Sequence, residues 1–393
     1  MEISRLQENL HFAFRHLVPP ASSRTPINWG TAHHVLVPIA LHLVLAYLAR
    51  RPGTRVMRAA LFPFVCVATI RFGYGYECTD VMLNAFNWGV ALAAILWAFK
   101  AVEFGLAPNG ILKVGEIEPG VLRAVANGNG NGNGAIKVGK MANGSPAGEK
   151  RRPATRPSGS RNIAGEVLAG LRDAIEVESA LRGIGWEAGT GSGIYIPQDT
   201  RDTAHPARFS LQTLRQLIFC FLATDLLESC LKLVPGLGTP AGGSMFAFGS
   251  NVYEKYLIST GIHLITGFAI LSGFAMAYYL ITLIAVSIFQ HHPTSWPPVF
   301  DSPWASTSLH EFWSKKWHQL LRQTFLVMGG FPLQKIFGSS GLIFGTFLAS
   351  GLYHECALYA MGRGFGVQCV IFFALQPVAI VLERLFRRRT GAK

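Results

Sequence analysis

Seven stretches of this chain are long, apolar and almost free of charged residues. Several approach or exceed the roughly 20 residues that an α-helix needs to cross the hydrocarbon core of a bilayer. A soluble domain can bury one or two such stretches, so seven of them predict an integral membrane protein. Charged residues make up 15% of the chain, well below the ~25% usual in soluble domains. The stretches are residues 35–48, 57–70, 81–99, 211–222, 257–289, 336–353 and 365–382.

The stretches predict an all-α fold with about seven (seven to nine) transmembrane helices. Three spans are expected within residues 1–100, and the others in a second membrane block over residues 209–393. Residues 257–289 suit either one long tilted helix or two short spans, and their periodicity does not decide between them. Between the blocks, residues 101–208 form a polar insertion that we expect to be cytosolic and largely flexible. Its centre, about residues 126–162, alternates Asn with Gly and is then rich in Arg, Pro and Ser, a composition that predicts disorder.

The net charge of +13 is concentrated beside the apolar stretches, mainly in residues 50–58, 137–161 and 384–389. These clusters lack interleaved aromatic residues, so the positive-inside rule explains them better than a nucleic-acid partner does. The rule predicts that the insertion and the C-terminal tail face the cytosol. An even number of spans must then separate them, and counting residues 257–289 once places residues 290–334 on the cytosolic side. The six cysteines show no CxxC pair, which argues against a disulfide framework or a zinc site.

Residues 290–334 contain a helical pattern that is too polar and too short to cross a membrane. The pattern predicts a helix over residues 309–325 that begins after Ser308, with Glu311 three residues later as in a capping box. One broad face of this helix is apolar and rich in aromatic residues. The opposite face is polar and contains Glu311, Lys315, His318 and Arg322. On composition alone, the pattern is typical of an interfacial helix with tryptophans at the lipid headgroups.

The following apolar stretch carries a histidine, His354, near its C-terminal end. Gly341, Gly345 and Ala349 recur there at four-residue spacing, which lets a neighbouring helix approach closely. An ionisable side chain in hydrocarbon costs about 2.5–3.5 kcal/mol on insertion scales, so intramembrane histidines usually face a functional cavity. Histidine is also suited to proton transfer near neutral pH. The alternative is a histidine that only forms a hydrogen bond between helices.

Two motifs in this order carry a resemblance to a known family. Phe312-Trp-Ser-Lys-Lys-Trp-His318 and Ser350-Gly-Leu-Tyr-His-Glu355 resemble the motifs of the membrane-bound O-acyltransferase family, in its wax-synthase-like branch. Trp296-Pro-Pro and Arg182-Gly-Ile-Gly-Trp186 are similar to segments of fungal members that acetylate terpenoid-type natural products. The resemblance covers roughly residues 180–360.

The resemblance implies a helical membrane protein that encloses a tunnel, which acyl-CoA enters from the cytosol. His354 matches the catalytic histidine of the family, a general base for the acceptor hydroxyl. His318 stands where many members have Asn, and is expected to hold the acyl carbonyl by a hydrogen bond. Further substrate-binding residues expected from these motifs are Trp313, Trp317, Ser350 and Glu355. The positive charges of Lys315, Lys316 and Arg322 make them candidates for binding the phosphates of CoA.

The expected reaction transfers acetyl from acetyl-CoA, as co-substrate, to a hydrophobic terpenoid-type alcohol, with no bound cofactor or metal. The expected surroundings are the lipid bilayer of the endoplasmic reticulum, and the sequence leaves the oligomeric state open. A long-chain wax-ester synthase is the enzymatic alternative. A membrane transporter is another alternative, because polar residues such as Asn84, Asn87 and Asp225 lie within apolar stretches.

A membrane di-iron oxygenase is a further alternative, because the chain contains twelve histidines. His11 and His16 have an HxxxxH spacing, and His33-His34 and His291-His292 are doublets. The full set of histidine boxes is absent from the sequence, which disfavours this class.

Overall fold

The computed structural model describes residues 2–122, 163–190 and 193–391, and these residues are predominantly helical. The centre of the insertion, for which we predict disorder over about residues 126–162, lies outside the described residues. In chain order the helices are α1 Glu2–Leu17, α2 Leu36–Ala49, α3 Arg55–Gly75, α4 Asn84–Leu106, α5 Ile163–Ser179, α6 Glu187–Thr190, α7 Pro206–Lys232, α8 Val252–Ser287, α9 Leu309–Glu311, α10 Arg322–Phe325, α11 Phe331–Tyr359 and α12 Gln368–Thr390. Two short strand pairs complete the fold, β1 Thr25–Pro26 beside β2 Tyr76–Glu77 and β3 Glu116–Glu118 beside β4 Val121–Leu122.

Within the described ranges, six helical segments are long and apolar enough to cross a membrane. The prediction of an all-α protein with several membrane spans is therefore confirmed, although the expected minimum of seven spans is not reached by these criteria. The six segments are Ala32–Ala49, Arg55–Gly75, Val81–Leu106, Val252–Ser287, Arg322–Tyr359 and Gln368–Thr390.

The missing seventh span is α7, which contains residues 211–222. This helix has 27 residues, enough to cross a bilayer, but charged residues recur along it from Arg208 to Lys232. It packs beside α8, and the hydroxyl of Thr224 donates to the hydroxyl of Ser272 at 3.0 Å. If α7 does not span, three spans separate the insertion from the C-terminus, and the even number required by the charge rule is lost.

The longest apolar stretch forms one helix and not two. Helix α8 has 36 residues, which corresponds to about 54 Å at 1.5 Å per residue. That length exceeds the hydrocarbon thickness of about 30 Å, so α8 extends beyond the apolar layer or tilts within it.

The described edges of the insertion are ordered and pack on the first spans. The guanidinium of Arg50 donates to the carboxylates of Glu116, at 2.7 and 2.9 Å, and Asp173, at 2.8 Å. Lys100 donates to the main-chain oxygens of Val177 at 3.0 Å and Glu178 at 2.5 Å. These contacts join α2 and α4 to α5 and the β3–β4 pair around a common apolar core.

Two arginines of the basic cluster at residues 50–58 are buried, although a cytosolic cluster is expected to be exposed. Arg50 is paired as described above, and Arg58 donates to the main-chain oxygens of Phe104 and Ala107 at the C-terminus of α4. A cation at a helix C-terminus satisfies unpaired carbonyls and interacts favourably with the helix dipole. These two charges therefore hold helices together, and their position says little about membrane orientation.

The stripe of small residues in α11 allows close packing, as predicted. A Cβ added to Gly345 would lie 2.2 Å from the main-chain oxygen of Gly329, and one on Gly341 would lie 2.2 Å from that of Leu333. The close neighbours are not a separate helix, as the spacing led us to expect, but Gly329, in the turn before α11, and Leu333, in the first turns of α11 itself. Helix α11 is interrupted at Gly338, whose φ of 63° and ψ of −148° suit glycine.

Candidate active site

An extended strap of tryptophan and proline forms one wall of the candidate site. Each carbonyl of the strap Trp296-Pro297-Pro298 accepts one hydrogen bond from a buried side chain. The donors are Arg201 Nη2 to Trp296 at 2.5 Å, the Tyr278 hydroxyl to Pro297 at 2.7 Å, and Arg182 Nη2 to Pro298 at 2.7 Å. Prolines cannot donate to a helix or sheet, so the strap stays extended and its carbonyls remain available. Two segments that the sequence singles out, Arg182–Trp186 and the strap, are thus in direct contact.

The helix predicted over residues 309–325 is broken, and this prediction was wrong. Helix α9 has the predicted N-cap, because the hydroxyl of Ser308 accepts from the Glu311 N–H at 2.9 Å, but the Glu311 carboxylate accepts from the N–H of Thr307 at 2.9 Å and not from that of Ser308. A π-helical turn then covers Phe312–Lys316, and Trp317 is extended. The side-chain amide of Gln319 donates to the main-chain oxygens of Trp313, at 3.3 Å, and Trp317, at 3.2 Å. These bonds satisfy carbonyls that the next helical turn would have used, so the chain can turn inward.

The break moves His318 away from the polar face on which the helical pattern places it. Its ring stacks on Phe274 of α8, with centroids 4.7 Å apart and planes 15° apart, and meets the edge of Phe300 at 6.1 Å. The Nδ1 atom is shielded and has no hydrogen-bond partner among the described residues. Burial first, and after it electrostatic interaction with His354 and Arg182, lowers the pKa of His318 to about 3. His318 is therefore neutral near pH 7.

His354 is held in a fixed orientation by the residues on either side of it. The hydroxyl of Tyr353 donates to the main-chain oxygen of Leu92 in α4 at 2.8 Å. On the other side, the buried carboxylate of Glu355 accepts from the N–H groups of Gly366, at 2.7 Å, and Cys369, at 3.4 Å. Expected to bind substrate, Glu355 instead ties α11 to the start of α12. Both contacts limit rotation of α11 about its axis.

Between these anchors, the imidazole of His354 lies in an aromatic slot. It stacks on Phe373 of α12 at 5.0 Å and 6°, and faces Trp88 of α4 at 6.3 Å and 19°. The ring is only partly buried, and neither of its nitrogens makes a hydrogen bond within the part of the chain that the structure describes. A ring nitrogen of this kind is free to accept a proton from a bound molecule. Ser350, one turn earlier in α11, is buried.

The structure brings both tryptophans of the first motif into the space between the two histidines. The rings form a continuous series that starts at Phe373, which stacks on His354. The ring centroids are 5.9 Å apart between Phe373 and Trp313, and 6.2 Å apart between Trp313 and Trp317. The ring centroids of Trp317 and His318 are 5.5 Å apart. The Trp313 Nε1–H donates to the side-chain oxygen of Gln376 at 3.1 Å. The histidines and tryptophans predicted from the sequence therefore belong to one group of aromatic rings, which we call the chamber. Its members are Trp88, Phe274, Phe300, Trp313, Trp317, His318, His354 and Phe373.

The three predicted phosphate-binding cations have different surroundings. The ammonium of Lys316 is 3.2 Å from the carboxylate of Asp301, which also accepts from the Tyr195 hydroxyl at 2.7 Å. The hydrogen bond from Tyr195, and after it the one from Lys316, lower the pKa of Asp301, so this carboxylate stays ionised at neutral pH. Arg322 donates to the side-chain oxygen of Gln319 at 3.3 Å. Lys315 is exposed, with its ammonium 5.9 Å from the Tyr195 ring centroid.

Several residues of the chamber carry no signal in the sequence. Trp88 and Phe373 flank one histidine, and Phe274 and Phe300 flank the other; each comes from a different element and is one apolar residue among many. Arg182 belongs to a motif that the sequence shows, but nothing in that motif indicates that its guanidinium is buried beside His318.

The histidine doublets lie outside the chamber. His33 and His34 contact each other with ring centroids 4.4 Å apart, and His34 Nδ1 is 2.9 Å from the Tyr76 hydroxyl. His291 stacks on the strap residue Trp296 at 6.0 Å. Within the described ranges, no three His, Cys, Asp or Glu side chains are grouped so that they could hold a metal ion.

Comparison with known proteins points to the segment that forms the chamber. Residues 296–375 match the sequence model of the membrane bound O-acyl transferase family. The chain is 26% identical to the O-mevalon transferase yanI of Aspergillus niger over 243 residues, which cover 53% of this chain and 51% of that protein. It is 29% identical to the acetyltransferase aurG of Calcarisporium arbuscula over 143 residues, 33% of this chain and 34% of that one.

A plant protein is similar to a comparable extent. The probable long-chain-alcohol O-fatty-acyltransferase 6 of Arabidopsis thaliana is 27% identical over 158 residues, 37% of this chain and 45% of that protein. The chain thus spans about half the length, or less, of these curated relatives, and no solved structure matches it. The segment that matches the membrane bound O-acyl transferase family contains the strap, His318 and His354, so the similarity covers the residues that form the chamber.

Proposed function

We propose that the protein is an acyl-CoA-dependent O-acyltransferase that transfers acetyl from acetyl-CoA to a hydroxyl of a hydrophobic, terpenoid-type alcohol. The observation that carries the proposal is the chamber between His354 and His318. His354 has free ring nitrogens in a partly accessible slot, and His318 is neutral with a shielded Nδ1 atom. This combination suits a reaction that needs one proton acceptor and one neutral hydrogen-bond donor.

In the proposed reaction, a ring nitrogen of His354 accepts the proton of the acceptor hydroxyl. The hydroxyl oxygen attacks the thioester carbonyl carbon, and the C=O π pair moves onto the carbonyl oxygen, giving a tetrahedral intermediate. The carbonyl then re-forms, the C–S bond breaks, and the leaving sulfur takes the proton from His354 as CoA–SH. The products are the ester and CoA. A neutral His318, with its proton on the nitrogen that faces the substrate, would donate a hydrogen bond to the carbonyl oxygen.

The walls of the chamber support an apolar acceptor. Trp313, Trp317, Phe373 and Trp88 present aromatic surfaces around His354. Such surfaces bury apolar ligands well and provide little to pair with the polar groups of a water-soluble one. Ser350 lies one turn from His354 and remains a proposed substrate contact, whereas the carboxylate of Glu355 is already bonded to the start of α12.

Acetyl as the donor group is supported by fungal relatives that are named acetyltransferases. Transfer of a long-chain acyl group to a fatty alcohol is the second candidate, supported by the long-chain-alcohol O-fatty-acyltransferase relatives. We further propose that the enzyme resides in the endoplasmic reticulum membrane and that CoA approaches from the cytosol past Lys315. That orientation requires α7 to cross the membrane with α8.

A single assay tests the proposal. Membranes containing the protein are incubated with labelled acetyl-CoA or palmitoyl-CoA and a panel of sterol, terpenoid and long-chain alcohols. We expect labelled acetyl esters of a polycyclic or terpenoid alcohol. Palmitoyl esters of fatty alcohols would replace the acetyl assignment with the wax-ester one. No ester with any pair, from folded protein, would contradict the acyltransferase proposal.

A further inference from the structure

The guanidinium of Arg182 is buried beside the chamber and only partly bonded. The side chain is 4% exposed, and its Nη2 donates to the Pro298 carbonyl. The Nε and Nη1 atoms are shielded and have no hydrogen-bond partner among the described residues. No carboxylate of those residues lies within ion-pair distance of Arg182 either. Buried polar groups in folded proteins are normally paired, so a buried cation with two spare donors indicates that a ligand completes the site.

The contacts of Arg182 place it next to His318. Its guanidinium lies over the ring of Tyr278, 5.4 Å from the centroid. One turn earlier on the same helix, Phe274 stacks on His318. Phe300, two residues beyond the Pro298 carbonyl that Arg182 binds, touches His318 from the other side. The charge of Arg182 also contributes to the low pKa of His318.

We propose that Arg182 is an oxyanion-binding residue, which donates together with His318 to the carbonyl oxygen of the bound thioester. The inference rests on the proposed acyl transfer and names the group that balances its developing charge. When the acceptor oxygen attacks, the carbonyl oxygen becomes negative, and it returns to a neutral carbonyl when the C–S bond breaks. A fixed cation in a water-excluded site interacts more strongly with the charged tetrahedral intermediate than with the neutral thioester of the bound substrate.

The chemistry of Arg182 suits this oxygen better than it suits the phosphates of CoA. Lys315 is exposed, so it offers the charged phosphates of CoA a cation at the surface. Arg182 is almost fully enclosed by the strap and α8. Arginine also keeps its proton at physiological pH, so its charge does not depend on proton transfer within the chamber.

A second arginine provides a matched control. Arg201 also binds one strap carbonyl, that of Trp296, and also lies over an aromatic ring, Phe209 at 4.2 Å. Its remaining donors are occupied, however, by the carboxylate of Asp199 at 2.7 and 2.9 Å and by the Thr213 hydroxyl at 3.0 Å. Arg201 therefore contacts the strap as Arg182 does, but its charge is balanced by Asp199 and its guanidinium has no spare donors.

The test compares Arg182→Gln and Arg182→Lys with Arg201→Gln and Arg201→Lys in the full chain. Turnover and KM for acetyl-CoA are measured per folded protein, with folding checked by thermal unfolding. Binding is measured separately with a non-reactive thioether analogue of acetyl-CoA. We expect Arg182→Gln to lower kcat about 10²–10³-fold, as removal of an oxyanion donor does, while KM and analogue binding change little. Arg182→Lys, which keeps the charge and the contact with the strap, should be more active than Arg182→Gln and less active than wild type.

The Arg201 variants should lower thermal stability and leave kcat per folded molecule nearly unchanged. Equal losses of kcat in the two series would overturn the inference, because the role of Arg182 would then be structural only. A raised KM and weaker analogue binding with unchanged kcat would also overturn it, in favour of contact with CoA phosphate. A wild-type enzyme without any acyl transfer would refute the proposed function and this inference together. An active wild type with a fully active Arg182→Gln would refute this inference alone.

Discussion

Two buried arginines lie at opposite ends of the short motif Arg182–Trp186, and their hydrogen-bonding surroundings differ. At one end, Trp186 packs against Arg50, whose guanidinium is 5.1 Å from a ring centroid and fully bonded to Glu116, Asp173 and the Ile111 carbonyl. At the other end, Arg182 has a single bond and no carboxylate partner within the described chain. The first pattern is that of a charge which holds secondary structures together. The second is that of a charge whose free donors are available to a bound ligand.

The comparison contrasts a paired arginine, Arg50, with an arginine beside the chamber that has spare donors, Arg182. In the chamber, His318 and Arg182 have shielded atoms without partners, and His354 has free ring nitrogens. Unpaired buried groups reduce stability, and these three lie beside one another, which supports a role in binding the ligand. Predictions follow that test whether stability and activity divide in this way.

The largest expected effect is on activity and comes from His354. Replacing His354 with Ala removes the proposed base, so turnover should fall by about 10²–10⁴-fold, with much smaller changes in folding. The assay is acetyl transfer per folded molecule. His263→Ala is the control, because His263 is an intramembrane histidine whose Nδ1 is bonded within its own helix, 2.8 Å from the Ser259 oxygen. Near-normal turnover of His354→Ala would remove His354 from the mechanism.

The next effect is on stability and comes from the paired arginine Arg50. Arg50→Met leaves Glu116 and Asp173 without their main partner, and breaking a buried pair costs about 3–5 kcal/mol. Thermal or denaturant unfolding should show this loss, while kcat per folded molecule stays close to wild type. Arg51→Met is the neighbouring control. Arg51 is more exposed, and its guanidinium lies as far as 4.0 Å from the Asp173 carboxylate, so this ion pair contributes at most about 1 kcal/mol. A large drop in kcat for folded Arg50→Met would contradict the division.

A smaller effect is expected for His318→Asn. Asn can donate the same hydrogen bond to the acyl oxygen, so turnover should stay within about tenfold of wild type, since a hydrogen bond of this kind contributes on the order of 1 kcal/mol. The pH dependence should not change between pH 5 and 9. The pKa of His318, about 3, lies below that range, so His318 stays neutral throughout and contributes no ionisation to the profile. Total loss of turnover, or a shifted acidic limb, would argue for proton transfer at His318.

The smallest effect concerns the surface cations. Lys315→Gln should raise KM for acetyl-CoA by roughly twofold to fivefold, in line with the ~1 kcal/mol scale of a solvent-exposed charge pair, and this effect should fade at high salt. Lys316→Gln should leave KM unchanged and lower stability slightly, because Lys316 is paired with Asp301. The reverse pattern in a salt-dependent kinetic series would assign the CoA contact to Lys316.

The sequence predicted correctly those features that depend on local pattern. Apolar length predicted the membrane helices, the spacing of Ser308 and Glu311 predicted a capped helix start, and glycine spacing predicted the close approach at Gly345. The order of two motifs also led us to expect His318, His354 and two tryptophans close together, and their rings are in contact; their roles stay predictions. Each of these depends on residues close together in the chain, where spacing translates directly into geometry.

The failures occurred where tertiary contacts outweighed local pattern. Residues 309–325 have a good helical period, but Gln319 caps the carbonyls of Trp313 and Trp317, and the aromatic chamber buries His318. Glu355 directly follows His354, the proposed base, yet a helical neighbour points about 100° away, and the Glu355 carboxylate binds the start of α12. For Arg182, the missing information was the absence of partners, which depends on the whole fold.

The π-helical turns on either side of His318 have a consequence for how this segment tolerates change. Phe312–Lys316 and Leu326–Gly330 are both π-helical, and such a turn holds one residue more than an α-helical turn. Deleting one residue from either would restore an ordinary helical register and rotate everything beyond it by about 100°. The length of this segment is therefore under tighter constraint than its composition. Across related chains, substitutions should accumulate between the two turns, while single-residue deletions there should be missing from every active enzyme.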